Sequence, residues 1–344
     1  MRGVILAGTA VTRPDAIGSL YRLEPGGEWQ VPEGLAADVA VQAITPDPQN
    51  PDRVYVGTRK GLFRSDDLGA SWTKLPAPEG VQYWSVLIDP ANPERLFCGT
   101  SPVGVVHSED GGQTWAESDC DHGERYQMSF GSSRMMKLAF HPTDPNILYG
   151  VAEVNGFYVS EDGGLSWRRA NTAIAGLSQQ PHLKNRELTD DDTEGMYDGH
   201  AVTTTPAKPD AAFYVCRMGV FETDDRGDTM RDLEVKRFAP FNYTRDVRVS
   251  PVDPKTLYAC FSISSRSEAG ALYRSPDLGE TWVEADPGTV ARSTIMGFGV
   301  HVKEPALAAV SRHGQVFYTF DDGAKWSEAQ LPADAGDAFC AAVL

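Results

Sequence analysis

Ser65-Asp66-Asp67-Leu68-Gly69-Ala70-Ser71-Trp72 is the stretch on which the reading of this chain turns. An aspartate two places after a hydroxyl residue can accept hydrogen bonds from the amides of its own turn, and the glycine supplies a positive φ. The tryptophan then anchors the following strand by burying a large apolar surface. The pattern Ser/Thr-x-Asp-x-Gly-x-Ser/Thr-Trp returns as Ser108-Asp110-Gly112-Thr114-Trp115, Ser160-Asp162-Gly164-Ser166-Trp167 and Ser275-Asp277-Gly279-Thr281-Trp282. Thr223-Asp225-Gly227-Thr229 ends in Met230, Thr319-Asp321-Gly323-Lys325-Trp326 carries one substitution, and Glu24-Pro25-Gly26-Gly27-Glu28-Trp29 is degenerate. Self-similarity along a whole chain is the mark of a repeat fold.

A second motif precedes five of these copies: Asp47–Pro51, Asp89–Pro93, His141–Pro145, Thr205–Pro209 and Ser250–Pro254. Each lies between β-rich apolar runs such as Trp84–Ile88 and Arg95–Cys98. Proline twice in five residues forbids a strand ladder there and marks a turn. The unit is therefore strand A, proline turn, strand B, short loop, strand C, Asp hairpin and strand D, which is one propeller blade. The anchor recurs at positions 29, 72, 115, 167, 230, 282 and 326. The sequence thus predicts an all-β fold, a seven-bladed β-propeller of four-stranded antiparallel blades in one domain over 1–344. The blades fall at about 38–75, 83–118, 134–170, 199–237, 244–285 and 294–329, with the last made of 337–344 plus 1–31. In that last blade Phe339–Leu344 is the innermost strand and Gly3–Gly8, Leu20–Leu23 and Glu28–Val31 lie outside it. N- and C-termini then share one blade, which removes an open edge. Six blades with a stray N-terminal segment is the alternative.

The paired motifs resemble the Asp-box (BNR) propellers: sialidases, xyloglucanases, sortilin-type receptors and Ycf48-type photosystem assembly factors. The resemblance covers essentially the whole chain and implies the fold; hydrolases, receptors and scaffolds all share it. Sialidases surround a substrate carboxylate with three arginines and use a Tyr–Glu pair and an aspartic acid. Their Arg-Ile-Pro-type signature ahead of the first blade has no match here beyond Arg13-Pro14, so no catalytic residue carries over one by one. Xyloglucanases pair two propellers across a cleft, whereas one propeller is predicted here.

Net charge is −17, from 31 Lys+Arg against 48 Asp+Glu. Such a field repels nucleic acid and anionic membrane surfaces, so neither is an expected partner. No run approaches the ~20 apolar residues of a membrane helix, and the short apolar N-terminal run does not read as a signal segment. The five cysteines, Cys98, Cys120, Cys216, Cys260 and Cys340, are scattered and form no C-x-x-C. The expectation is a cytoplasmic protein without disulfides or a cysteine metal site.

Proline turns and Asp hairpins leave one end of the strands, while the D-to-A connections and B-to-C loops leave the other. Two D-to-A connections are long, Ser118–Ser133 and Ala170–Gly199, and long loops in a tight repeat tend to carry function. Aligning the A strands on their proline turns places Gln42, Trp84, Met136, His200, Arg245 and Met296 around the pore mouth. Arg59, Lys60, Arg217, Arg312 and His313 join them from the B-to-C loops, and Arg134 precedes strand A of blade three. This basic cluster in an acidic chain calls for local carboxylates (Glu153, Glu194, Asp198) or for a bound anion, to which arginine offers a matched fork. The long loops also carry His122 and Glu124, and Glu194, Tyr197, Asp198 and His200. The carboxylate and imidazole of Asp198-Gly199-His200 are suitably spaced for base work.

The leading expectation is a hydrolase or related enzyme acting on a small anionic molecule or carbohydrate. Arg134, Arg217 and Arg245 would grip the anion, aided by Trp84, Arg59, Arg312 and His313. His200 or Asp198 would serve as base and Tyr197 or Glu194 as assisting group. A non-catalytic binding scaffold explains the arginines equally well. A third reading is a lactonase-like metalloenzyme with a divalent metal on His122, His182 and His200, although nothing in the sequence requires a cofactor.

Overall fold

Each blade begins with an inner strand whose alternate side chains meet neighbouring blades, and the chain then steps outward through three antiparallel partners. The computed structural model describes residues 3–36, 38–123, 127–128, 131–185, 193–285 and 290–344. Blade one runs Val41–Pro46, Val54–Thr58, Gly61–Ser65 and Thr73–Lys74, and blade two Gln82–Ile88, Leu96–Ser101, Gly104–Ser108 and Ala116–Glu117. Blade three comprises Met135–Phe140, Leu148–Ala152, Gly156–Ser160 and Ser166–Arg169, and blade four Gly199–Thr205, Lys208–Cys216, Gly219–Thr223 and Arg231–Asp232. Blade five is Tyr243–Val249, Leu257–Ser262, Gly270–Ser275 and Val283–Glu284; blade six is Ile295–Val300, Leu307–Ser311, Gln315–Thr319 and Ser327–Gln330. Blade seven joins Asp337–Val343 to Ile5–Ala10 and Leu20–Leu23, so both ends of the described chain share one sheet. The inner strands contact one another in order and the seventh returns to the first. That closes the ring and excludes the six-bladed alternative.

The Asp turn works as its chemistry requires. Asp67 Oδ1 accepts from Ser65 Oγ at 2.7 Å and Ser71 N at 2.9 Å, and its Oδ2 accepts from Ser71 Oγ at 2.6 Å. The same bonds recur at Asp110, Asp162, Asp225 and Asp277. At Gly164, with φ +86°, an added Cβ would lie 2.3 Å from the Phe97 ring, so both conformation and space demand glycine. Trp72, Trp167 and Trp282 are buried as expected of anchors. The degenerate seventh turn keeps only a Gly27 N–H to Glu24 O bond, and the expected fourth strand of its blade shrinks to one bridge between Arg22 and Gln30. Without the aspartate, nothing orders that hairpin beyond its first residues.

The two long connections have structure of their own. Asp119–Cys120 leaves blade two and pairs in parallel with the edge of blade three. The second connection carries a helix, Thr172–Ser178, a 3₁₀ turn, Pro181–Leu183, and a short helix, Glu194–Tyr197. Among the described residues no helix is long and apolar enough to cross a membrane.

One irregularity positions the site. Inner-strand pairing skips a residue at the same place in successive blades: between Val41 and Ala43, Tyr83 and Ser85, Met135 and Lys137, Gly199 and Ala201, and Ile295 and Gly297, while in blade five the break between Thr244 and Val247 spans both Arg245 and Asp246. In blade seven the shift falls between Cys340 and Ala338. A bulge leaves one residue out of the ladder and re-aims it. The residues released are Gln42, Trp84, Met136, His200, Arg245, Met296 and Phe339, and all of them line the central channel.

Candidate functional site

The seven bulge residues form a collar, with Trp84, Met136, Met296 and Phe339 filling much of it. The cavity they leave is only about 30 Å³, so the channel accepts a water-sized species and no sugar. Within the collar itself, bulky side chains therefore leave no room for the small molecule expected at the pore mouth. Six collar positions were legible from the proline-turn alignment. Phe339 was missed because blade seven has no proline turn on which to align it.

Above the collar the arginines gather as expected. Arg134 lies with its guanidinium 3.9 Å from the Trp84 ring centre and Arg59 lies 5.9 Å from it. Arg134 Nε is 3.2 Å from Glu153 Oε2, with both side chains 9% exposed. Burial pushes Arg134 down to about 10 against the pull of Glu153. Burial likewise raises the Glu153 carboxyl above the usual range, opposed by Arg134.

Asp198 stands at the centre of the second group. Its Oδ2 accepts from Arg217 Nε at 2.9 Å and Nη2 at 2.6 Å, and lies 3.2 Å from His200 Nε2. Burial alone would raise this carboxyl; His200 and Arg217 outweigh it and hold it well below the ordinary range. His200 Nδ1 donates to the Thr244 carbonyl at 2.6 Å, so both ring nitrogens are engaged inside the protein. Burial, with Arg245 adding to it, lowers the imidazole below its usual value. Arg245 Nη1 reaches Tyr243 Oη at 3.4 Å.

His200, Asp198 and Glu194 are brought together but lie only 1%, 2% and 2% exposed. The short helix carrying Glu194 and Tyr197 is the cause: it folds inward, and Tyr197 packs on the core of blades three and four. The expected base is thus walled in by its own insertion. Glu124 lies outside the described residues. Arg312 links blades, with Nε 2.6 Å from Asp337 and Nη1 on the Ser265 carbonyl at 2.9 Å, while His313 is exposed. Their equivalent loop position in blade six turns toward blades five and seven.

The three histidines drawn together for a metal are held apart by different partners. His182 pairs with Asp232 at 3.2 Å, His200 with Asp198, and the His122 carbonyl accepts from Asn155. Among the described residues no three His, Cys, Asp or Glu side chains gather as a metal site.

A space roomier than the channel lies beside the collar. A cleft of about 300 Å³ opens between His182, Lys184 and Asn185 on one side and blades four and five on the other, with Arg217 and Tyr243 in its wall. Lys184, Lys236 and His182 supply further basic groups, and Asn185, Asn242, Ser264 and Ser265 supply neutral hydrogen-bonding ones. Sequence reasoning found Arg217 and His182 but not the cleft, because its walls come from loops of unrelated sequence.

The family model described as "Sortilin, neurotensin receptor 3" matches residues 60–193. The chain resembles the Asp-box propellers. It is 23% identical over 347 residues to the xyloglucanase of Hypocrea jecorina (strain QM6a), an alignment covering 93% of this chain and 37% of that protein. The chain thus spans little more than a third of that relative's length. A Niastella koreensis GH74 enzyme superposes with a TM-score of 0.61 at 18% identity, over 84% of this chain and 45% of the other. A structure titled "YCF48 bound to D1 peptide" gives 0.51 at 13% identity, over 84% and 82%. At these identities the solved structures speak to the fold.

Proposed function

We propose that this propeller binds a small anionic or sugar-derived molecule in the cleft beside Arg217 and Tyr243, and that it acts there as a hydrolase. The observation that carries the reading is the cleft itself: about 300 Å³, polar, and rich in Lys184, Arg217 and Lys236 within a chain of net charge −17. That volume suits a ligand of monosaccharide size, and the basic groups suit a carboxylate or phosphate on it. The likeness to xyloglucanases supports a hydrolase. All five cysteines are buried and unpaired, which fits a reducing compartment such as the cytoplasm.

Calorimetric titration with glucuronate, galacturonate, citrate and phosphate, with glucose as the neutral control, tests the binding. The expected result is binding of at least one anion, weakened about tenfold in Lys236→Gln. Absence of heat for every anion removes the cleft assignment. Release of nitrophenol from aryl glycosides and glycuronides, and of reducing ends from xyloglucan oligosaccharides, tests the hydrolase. A second reading, a binding scaffold, is favoured by the engagement of both His200 nitrogens and of Asp198 within the protein. Anion binding with no turnover of any of these substrates selects the scaffold.

A further inference from the structure

We propose that the central channel holds a single halide-sized anion between the side chains of Gln42, Lys137 and Arg245. This site lies within the collar, does not share the cleft's walls, and stands whatever the cleft binds. Gln42 is 5% exposed, lines the channel cavity, and neither its Nε2 nor its Oε1 finds a partner. A buried amide left unsatisfied is costly and points to a ligand or ordered water. Lys137 lines the same cavity and has no acceptor among the described residues, and Arg245 Nε is buried without one.

Charge decides what kind of ligand these groups call for. Three donors face the cavity, from Gln42, Lys137 and Arg245, against one open acceptor, Gln42 Oε1. The carboxylate lining the cavity, Asp246, is already used: its Oδ2 accepts from Phe298 N at 3.0 Å and Arg248 Nη2 at 3.2 Å, and its Oδ1 from Val247 N at 3.0 Å. The Cys340 thiol is pushed by burial up to about 12 and stays neutral, and His200 is lowered. Burial, with Arg248 adding to it and Asp246 only partly opposing it, also holds the Lys137 ammonium below its usual range. An acceptor carrying negative charge answers every open donor at once. The cavity of about 30 Å³ admits one such ion of water-like size and excludes sulfate, phosphate and carboxylic acids.

Crystals grown in sodium bromide test the site directly through the bromine anomalous signal. The expected result is one anomalous peak in the channel among Gln42, Lys137 and Arg245, absent from crystals of Lys137→Met. In solution, chloride or bromide at a hundredfold excess over its dissociation constant should raise Tm by about 4 °C relative to methanesulfonate at equal ionic strength. That shift should vanish in Lys137→Met and in Gln42→Leu. Should one variant fail to fold, the other carries the comparison. A channel holding only water in bromide crystals, or a halide shift retained in both variants, overturns the proposal.

Discussion

Replacing Asp198 by asparagine keeps the shape of the side chain and removes the charge that Arg217 grips through two hydrogen bonds of 2.6 and 2.9 Å. Arg217 is 13% exposed and Asp198 3%, so water cannot restore the lost interaction. Breaking a buried ion pair from one side costs about 3–5 kcal/mol, because the surviving charge stays desolvated. With an unfolding entropy of about 2.1 cal/mol/K per residue, 344 residues convert that loss into a fall in Tm of about 4–7 °C at pH 7. The pH dependence supplies a sharper test. Because Asp198 is depressed in the folded state, its contribution is complete above the unfolded carboxyl value near 3.9 and is lost as pH falls toward the folded one. Wild type and variant should therefore run parallel from pH 7 to about 5, and the gap should begin to narrow below about 4, by about 1 °C at pH 3.5. Calorimetric melts from pH 7 to pH 3.5 measure this. A fall below about 1 °C at neutral pH, or a constant gap down to pH 3.5, would refute the view of Asp198 as a buried, ionised hub.

Further outcomes follow from the fold. Trp167→Ala removes an anchor only 2% exposed and should cost about 3–5 kcal/mol, seen as a Tm fall of about 4–7 °C. Asp67→Ala deletes three turn hydrogen bonds at an exposed site and should lower Tm by no more than about 3 °C. All five cysteines are buried, and burial pushes Cys216, Cys260 and Cys340 up to about 12; a thiol reagent should label none in the native protein at pH 8 and five on denaturation. Gly164→Ala should destabilise more than Gly176→Ala, since the first meets Phe97 at 2.3 Å and the second has open space, with comparative melts as the measure.

The sequence by itself determined the ring: its blade count, its strand order within blades and the shared terminal blade. Those features were legible because the Asp turn is a local device, in which residues 65–72 satisfy one another without help from the rest of the chain. The proline turns gave the A-strand register, and with it six of the collar residues and the gathering of Arg134, Arg217 and Arg245 on one rim. What the collar does was decided only by tertiary structure. Its bulges turn Trp84, Met136, Met296 and Phe339 into one space and fill it, a packing outcome set by side chains from separate blades. The burial of Asp198, His200 and Glu194 likewise depends on an insertion with no repeat to align, and the cleft beside Arg217 on loops from different blades that meet only when the ring has closed.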